Sequence, residues 1–187
     1  MQIKPTAIPD VILVTPKRLG DHRGYFVETY HAARFREAGI VADFLQDNQS
    51  LSAAAGTVRG LHFQIPPVPQ AKLVRVLQGA IYDVAVDIRI GSPTFGQWVG
   101  ETLTAEHGEQ LFLPHGFAHG FCTLANETIV AYKVDNYYSA AHDAGISFAD
   151  PALGINWPIS PEKVVISDKD GNLPVLADFA SPFRYGM

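Results

Sequence analysis

The sequence has a single cysteine, Cys122, among its 187 residues. One cysteine cannot form an internal disulfide bond, so a disulfide-stapled secreted scaffold is excluded. The start Met1-Gln2-Ile3-Lys4-Pro5 also lacks the apolar stretch of a secretory signal peptide. From these two absences we predict a cytoplasmic protein.

The sequence also lacks long apolar runs and an excess of positive charge. A membrane-spanning helix needs ~20 consecutive apolar residues, and no run approaches that length. The formal net charge of −5 gives no general attraction to nucleic acid or to an anionic membrane. We therefore predict a soluble chain with neither partner, in which a phosphate-bearing ligand must meet local cations.

Several catalytic signatures and all linker-like segments are missing. There is no Walker loop, GxGxxG, GxSxG or Cys/His cluster, so nucleotide hydrolysis, dinucleotide chemistry and the common nucleophilic triads have no support. No repeat or low-complexity tract divides the chain. We predict one domain over residues 1–187: N-terminal strands and a short helix to about residue 50, a β core at about 51–135 and a wrapping segment at about 136–187.

What the sequence does contain is a series of short runs rich in Val, Ile, Phe and Tyr, separated by Gly, Pro or Asn. Their spacing, roughly 8–12 residues, is typical of sandwiches and barrels. Besides the run around residues 57–64, strands are predicted at residues 11–14, 25–29, 44–49, 72–77, 81–88, 98–103, 110–113, 117–124, 128–134 and 163–167. The pattern predicts a mainly β protein, a jelly roll or related barrel of two packed antiparallel sheets, with few helices.

Two local patterns add detail. In residues 81–88 large apolar residues alternate with Asp83 and Asp87, which predicts a half-buried strand. Residues 31–38 have helical spacing of apolar residues, and Gly39 is the stop signal.

His62 lies in an apolar strand, where an imidazole needs a hydrogen-bond partner or a cavity. A purely structural histidine is one interpretation. Arg59 and Lys72, on this strand and the next, favour a second, because cations in a mostly apolar sheet need anions and a charged ligand supplies them. Strict alternation places Arg59 and His62 on opposite faces, so a shared pocket predicts a bend or bulge at Gly60.

His115 and His119 are four residues apart, as in a metal-binding helix, but the proline and glycines around them favour a turn entering a strand. A metal site would have to combine them with the distant His62, which is possible but unspecific. On the residues alone, Tyr132 is equally typical of a half-buried sheet tyrosine, and Asp168-Lys169-Asp170 of a charged turn.

Seven ordered segments resemble one known family. They are GDHRG (20–24), QDN (46–48), VRGLH (58–62), KLVR (72–75), SPTFG (92–96), PHGFAHGF (114–121) and NYY (136–138). The chain is similar in them to the dTDP-4-dehydrorhamnose 3,5-epimerases, which have a cupin-type jelly-roll fold, and the match extends over about residues 9–170. Phe63, Gln49 and His115 depart from the residues common in that family.

The resemblance implies a metal-free site with no cofactor. His62 would remove protons at C3 and C5 of a 4-keto sugar, Asp170 would orient His62, and Tyr132 would return a proton from the opposite face of the ring. Each deprotonation gives an enolate that requires a preorganised cation, and Lys72 is the candidate.

The resemblance also implies the nucleotide contacts and the assembly. The residues that would contact the dTDP-sugar are Arg23, Glu28, Gln46, Asn48, Arg59, Lys72, His119, Tyr138, Asp143 and Lys169. Of these, Tyr138 would stack on the thymine. Members of the family are homodimers that exchange N-terminal strands, so Arg23 and Glu28 are candidates for the partner's site.

The leading hypothesis is therefore 3,5-epimerisation of dTDP-4-dehydro-6-deoxy-D-glucose to dTDP-4-dehydro-L-rhamnose. Three alternatives stay open: an epimerase acting at C3 or C5 only, a metal-dependent cupin enzyme using His62, His115 and His119, and a non-catalytic sugar-nucleotide binding module.

Overall fold

Most of the chain is built from two antiparallel β-sheets. The computed structural model describes residues 1–186. The strands in this range are β1 Gln2–Pro5, β2 Ile12–Thr15, β3 Arg18–Asp21, β4 Gly24–Val27, β5 Gln46–Ser52, β6 Val58–Gln64, β7 Lys72–Gln78, β8 Ala80–Asp87, β9 Trp98–Thr104, β10 Gln110–Leu113, β11 Phe117–Thr123, β12 Thr128–Val134 and β13 Asp143–Gly145. The helices are α1 Ala32–Glu37 and α2 Asp168–Gly171, with 3-10 turns at Pro161–Lys163 and Leu176–Asp178.

The strand order shows how the sheets are assembled. One sheet has six strands in the order β1-β2-β10-β7-β12-β5, the other has five in the order β13-β6-β11-β8-β9, and β3 and β4 form a separate hairpin. Neighbouring strands come from distant parts of the chain, as in a jelly roll. The predicted fold class is confirmed, and within residues 1–186 no helix is long and apolar enough to span a membrane.

The main core lies between the two sheets. It combines Val74, Leu111 and Val130 of the six-stranded sheet with Ile81 and Phe121 of the five-stranded sheet, all of them at most 4% exposed. Alternate residues of each strand point to this space because side chains alternate across a strand. Burying one such side chain stabilises the fold by ~1.5–3 kcal/mol.

Two further clusters cover the outer faces. On the five-stranded sheet, Leu61, Val84 and Val86 pack against Ile146 and Phe183 of the C-terminal segment. On the six-stranded sheet, Phe35 of α1 belongs to a separate hydrophobic cluster that includes Leu73 of β7 and Phe112 of β10. The sheets are therefore sandwiched by the chain ends, which leaves the space between them as the interior of a barrel.

Two predictions about local structure were wrong. Strand β8 is buried on both faces rather than one. The C-terminal segment covers Val84 and Val86 on its outer face, and the face that carries Asp83 meets the core between the sheets, so Asp83 and Asp87 are both 0% exposed. Residues 163–167 are not a strand: a single bridge from Thr57 to Val165 is all that forms, between a 3-10 turn and α2. The helix predicted at residues 31–38 is present as α1, followed by Gly39.

Candidate active site

A cavity of about 160 Å³ opens between the two sheets. Its polar lining combines His62, Lys72 and Tyr132 with residues from β5, β13 and α2; the full lining is Gln46, Asn48, His62, Phe63, Gln64, Gln70, Lys72, Tyr132, Tyr138, Asp143 and Lys169. His62 belongs to β6 of the five-stranded sheet, whereas Tyr132 and Lys72 belong to β12 and β7 of the six-stranded sheet. The imidazole and the phenol are thus carried by opposite walls.

His62 and Asp170 form a hydrogen-bonded pair. The Nε2 atom of His62 lies 2.7 Å from Oδ1 of Asp170, and the carboxylate is almost completely buried while 31% of the imidazole is exposed. An ionised carboxylate only accepts hydrogen bonds, so Nε2 carries the proton and Nδ1 keeps a free lone pair. Burial lowers the pKa of His62, and Asp170 only partly opposes this. The imidazole is therefore poised as a base.

The backbone amide of Gly60 also binds the Asp170 carboxylate. The Gly60 amide donates to Oδ2 of Asp170 at 3.0 Å, and the Asp170 amide is capped by the Ser167 hydroxyl at the start of α2. Both carboxylate oxygens of Asp170 are thus held by strand β6, one through the His62 imidazole and one through the Gly60 amide, although these residues are 108 and 110 positions away in sequence.

Gly60 also brings Arg59 and His62 to the same face of the sheet. In the β6–β11 pairing, His62 lies opposite His119 and Arg59 lies opposite Phe121, with a register shift between them. Residues opposite each other share a face, and His119 and Phe121 are two residues apart, so they share a face as well. The irregularity predicted at Gly60 is confirmed.

Lys72 is buried in the same wall of the barrel as Tyr132. It is 8% exposed, and its Nζ donates to the carbonyl oxygen of His62 at 3.2 Å. Burial lowers the pKa of Lys72 to about 8, while the carboxylates of Asp83 and Asp143 oppose the decrease. The ammonium form therefore still predominates near neutral pH, close to the position of the base.

Tyr132 keeps its proton more firmly than an exposed tyrosine does. Burial raises the pKa of its phenol, and the positive charge of Arg59 partly offsets that effect. A phenol that stays protonated can act as an acid when an anion forms beside it. Arg59 itself is exposed and held by the Ser52 hydroxyl and the Leu51 carbonyl oxygen.

The outer part of the cavity is more exposed and carries five more of the predicted contact residues, Gln46, Asn48, Tyr138, Asp143 and Lys169. Tyr138 is 58% exposed, and its hydroxyl donates to Asp143, which also pairs with Lys169. The Asp143 carboxylate raises the pKa of Lys169. Gln46 accepts a hydrogen bond from the Tyr138 amide and donates one to Asn48. The aromatic ring of Tyr138 and the ammonium group of Lys169 therefore lie close together at the rim of the cavity.

Arg23 and Glu28 are not brought to this cavity. Both belong to the N-terminal hairpin region, where Arg23 pairs with Asp21 and Glu28 pairs with Arg34. Neither residue lines the cavity of its own chain. The structure thus places these two residues away from the cavity of their own chain, and their contact with a substrate stays a prediction.

Two polar residues near the cavity, Asp83 and Gln64, were not predicted from the sequence as site residues. The alternating pattern of its strand predicts that Asp83 faces solvent, yet its Oδ1 lies 2.7 Å from Nε2 of His119 inside the barrel. Gln64 is 2% exposed; its amide donates to the Val68 and Tyr137 carbonyl oxygens and accepts from the Ser139 amide. Asp83 is buried by the packing of the two sheets and Gln64 by its contacts with the segments around Val68 and Tyr138, and neither is visible in the sequence pattern.

The histidines do not form a metal cluster. In residues 1–186 there is no group of three or more His, Cys, Asp or Glu side chains that could hold a metal ion. His115 is directed to Asp135, and it lies in a turn that enters β11, as predicted. His62 and His119 are instead each bound to a separate carboxylate.

The fold and the site together define a class: a jelly-roll enzyme that carries acid–base groups and a cation around a small cavity. A profile described as dTDP-4-dehydrorhamnose 3,5-epimerase matches residues 5–178. The chain is 49% identical over 185 residues to the dTDP-4-dehydrorhamnose 3,5-epimerase of Sinorhizobium fredii, covering 99% of this chain and 94% of that protein. The chain belongs to the dTDP-4-dehydrorhamnose 3,5-epimerase family.

Two further relatives bear on the reaction. The crystal structure of dTDP-6-deoxy-D-glucose-3,5-epimerase from Legionella pneumophila, in complex with dTDP-4-keto-L-rhamnose, superposes with a TM-score of 0.91 at 45% identity, covering 96% of this chain and 94% of that one. The dTDP-4-dehydrorhamnose 3-epimerase of Streptomyces niveus is 38% identical over 174 residues, covering 92% of this chain and 84% of that protein.

Proposed function

We propose that the protein converts dTDP-4-dehydro-6-deoxy-D-glucose to dTDP-4-dehydro-L-rhamnose by inverting C3 and C5. The observation that carries the proposal is the placement of an Asp-bound His62 and of Tyr132 on opposite walls of one cavity. Inversion needs a base on one face of the sugar ring and an acid on the other. A buried Lys72 in the same cavity supplies positive charge for the oxygen between them.

The proposed steps follow from the protonation states. The Nδ1 atom of His62 removes the proton from C3 or C5, and the electron pair moves onto the C4 oxygen as an enolate. The Lys72 ammonium stabilises that oxyanion, and preorganised donors of this kind contribute roughly 10²–10³-fold to kcat. Tyr132 then protonates the carbon from the other face. Loss of the proton from His62 to solvent and recovery of one by Tyr132 restore the site.

The nucleotide part is assigned to the rim. The exposed Tyr138 ring offers a face for the thymine, and Lys169 and Arg59 offer charge for the diphosphate. Gln46 and Asn48 bind each other beside Tyr138, which leaves further amide groups for the sugar and base. These contacts are consistent with the nucleotide-bound state named for the Legionella pneumophila relative.

A homodimer belongs to the same proposal. The cavity of about 160 Å³ is smaller than the ~300–1,000 Å³ of typical ligand pockets, so one chain encloses a sugar ring rather than a whole nucleotide sugar. Leu19, Tyr25 and Phe26 of the β3–β4 hairpin are 56–69% exposed, and Arg23 lies in the same hairpin. We propose that this hairpin packs on a second copy and that Arg23 and Glu28 contact the nucleotide there.

The decisive experiment is exchange in deuterated water. The protein is incubated with dTDP-4-dehydro-6-deoxy-D-glucose, and NMR follows deuterium at C3 and C5. We expect label at both carbons, together with the inverted product. If neither carbon acquires deuterium, the proposal is wrong; His62→Ala protein is the matched control and is expected to show no exchange.

The same assay separates the second candidate. A relative from Streptomyces niveus is a 3-epimerase, so label at C3 alone would identify a monofunctional enzyme. Metal analysis of the purified, active protein addresses the metal-dependent alternative, since stoichiometric iron, zinc or manganese would support it. The proposal also includes the absence of a cofactor and a cytoplasmic location. Cys122 is buried, and burial raises the pKa of its thiol to about 11. Both properties are typical of an unreactive, reduced cysteine.

A further inference from the structure

Asp83 is the most unusual buried group in the barrel. It lies in the middle of β8, is 0% exposed, and shares its face with the core residues Ile81 and Ala85. One carboxylate oxygen accepts a hydrogen bond from His119, while the other, Oδ2, has no hydrogen-bond partner within the part of the chain that is described. A buried carboxylate with a free oxygen is costly unless nearby positive charge stabilises it.

Two neighbours explain why a carboxylate is tolerated there. His119 pairs with β6 directly opposite His62, so Asp83 holds the imidazole that lies beside the proposed base. Lys72 is the second neighbour: its ammonium is stabilised by the charges of Asp83 and Asp143. Asp143 also forms an ion pair with Lys169, whereas within residues 1–186 the ion-pair partner of Asp83 is His119 and no lysine or arginine. The charge of Asp83 is therefore not shared with a second lysine or arginine.

We propose that Asp83 is a positioning residue for the epimerisation, orienting His119 through their hydrogen bond and supplying the counter-charge that Lys72 needs inside the barrel. The inference rests on the proposed function. Asp83 does not touch the reacting carbons; it acts through His119, which lies beside the proposed base, and through Lys72, the proposed cation for the enolate oxygen. Without it, Lys72 would lose its proton more readily and His119 would lose its fixed orientation.

The groups around Lys72 come from several elements, and each bears on its titration. They are Asp83 on β8, His62 on β6, Tyr132 on β12, Asp143 on β13 and Lys169 on α2. Lys169 is compensated by Asp143, and Tyr132 is neutral over the working range because burial raises the pKa of its phenol. Removing the charge of Asp83 should therefore lower the pKa of Lys72 further.

The test compares Asp83→Asn with the wild-type protein. We expect kcat to fall at least tenfold, the alkaline limb of the kcat–pH profile to move to lower pH, and affinity for dTDP to change little. Asp87→Asn is the matched control, because Asp87 is equally buried on the same strand but binds Arg89, Ser92 and Thr94 outside the cavity. In folded Asp87→Asn protein the alkaline limb should stay in place.

An unshifted alkaline limb with unchanged kcat in Asp83→Asn would overturn the inference. Equal losses of kcat in both variants without a shift would also overturn it, since that is the result of a merely structural role. Deuterium exchange by the wild-type protein is measured first, so a failure of the proposed function is seen separately.

A measurement on wild-type protein covers the case in which Asp83→Asn does not fold. Nitrogen NMR of protein labelled with ¹⁵N-histidine reports which ring nitrogen of His119 carries a proton. A charged Asp83 requires a protonated Nε2. An unprotonated Nε2 would mean that Asp83 is neutral and donates the hydrogen bond itself, and the counter-charge role would be refuted.

Discussion

Two histidines lie side by side on the inner face of the five-stranded sheet, and each is bound to its own carboxylate. The geometry of the two pairs is alike, with 2.7 Å between Nε2 and Oδ1 in both. Their surroundings differ, because His62 is partly exposed to the cavity and His119 is nearly buried. At the scale of the residue, the difference in exposure distinguishes His62, the proposed base, from His119, the proposed supporting donor.

Tyr132→Phe should uncouple exchange from inversion. His62 can still remove a proton and return it from the same side, so deuterium should enter C3 and C5 while the inverted product forms at least 10²-fold more slowly. NMR of a single reaction in deuterated water measures both. Inversion at the wild-type rate would show that another group, or water, protonates the opposite face.

The pH dependence of kcat should be bell-shaped. His62 must be neutral to accept a proton; because burial lowers its pKa, activity is complete at pH 7 and declines on acidification below its ordinary value of ~6.5. Lys72 must be charged, so activity declines as the pH rises through about 8. Steady-state kcat at saturating substrate tests this; a flat profile down to about pH 5 would exclude His62 as the base.

At the scale of the element, the irregular geometry of strand β6 depends on one glycine. Gly60 has φ of +120°, and a Cβ atom there would lie 2.6 Å from the Gly120 Cα and 2.7 Å from the His119 carbonyl oxygen. The close approach of β6 and β11 directs the Gly60 amide to Asp170. The same irregularity therefore aligns Arg59 with His62 and anchors the dyad.

Gly60→Ala should destabilise the fold by ~2–5 kcal/mol, from backbone strain and from overpacking against β11. Chemical denaturation measures the free energy of unfolding. Gly20→Ala is the control, because Gly20 has no positive φ and its added Cβ would make only an ordinary contact at 3.6 Å. Equal stability of the two variants would contradict the role given to the irregularity.

Gln64 links β6 to the segment that carries Tyr138. Its side chain binds backbone groups on both sides of that tyrosine, the Tyr137 carbonyl oxygen and the Ser139 amide. Gln64→Leu should loosen the segment and raise KM for the dTDP-sugar about tenfold, with a smaller effect on kcat, since two to three hydrogen bonds of ~1 kcal/mol are lost. The exposed Gln78→Leu is the control; a pure loss of kcat would assign Gln64 to the chemistry instead.

At the scale of the whole molecule, the proposed dimer can be tested by mixing two defective variants. If Arg23 serves the partner's site, a heterodimer of Arg23→Ala and His62→Ala subunits contains one complete site. Random mixing should then restore roughly a quarter of wild-type activity, because half of the dimers are heterodimers with one of two sites intact.

The mixture should be assayed at low substrate concentration, after unfolding and refolding the two variants together. The variants refolded separately and then combined are the control. No recovery above the sum of the separate activities would place Arg23 in its own subunit's site, or would show that the protein is not a dimer.

Local pattern determined much of this protein. Short runs rich in Val, Ile, Phe and Tyr predicted the positions of β7, β8, β11 and β12, because such runs between Gly, Pro or Asn are typical of strands. The chemical nature of His62 and Lys72 within apolar strands indicated a site, and the turn before β11 followed from Pro114 and Gly116. These features depend on residues that are close in sequence.

Tertiary structure decided the rest, because the partners that matter are far apart along the chain. Asp170 meets His62 across 108 residues and Asp83 meets His119 across 36, and only the strand order of the two sheets brings them together. Asp83 was predicted to lie on an exposed face, since an alternating pattern does not show that the second sheet packs over that face. The residues set the chemistry that was possible, and the pairing of distant strands determined which of them share one cavity.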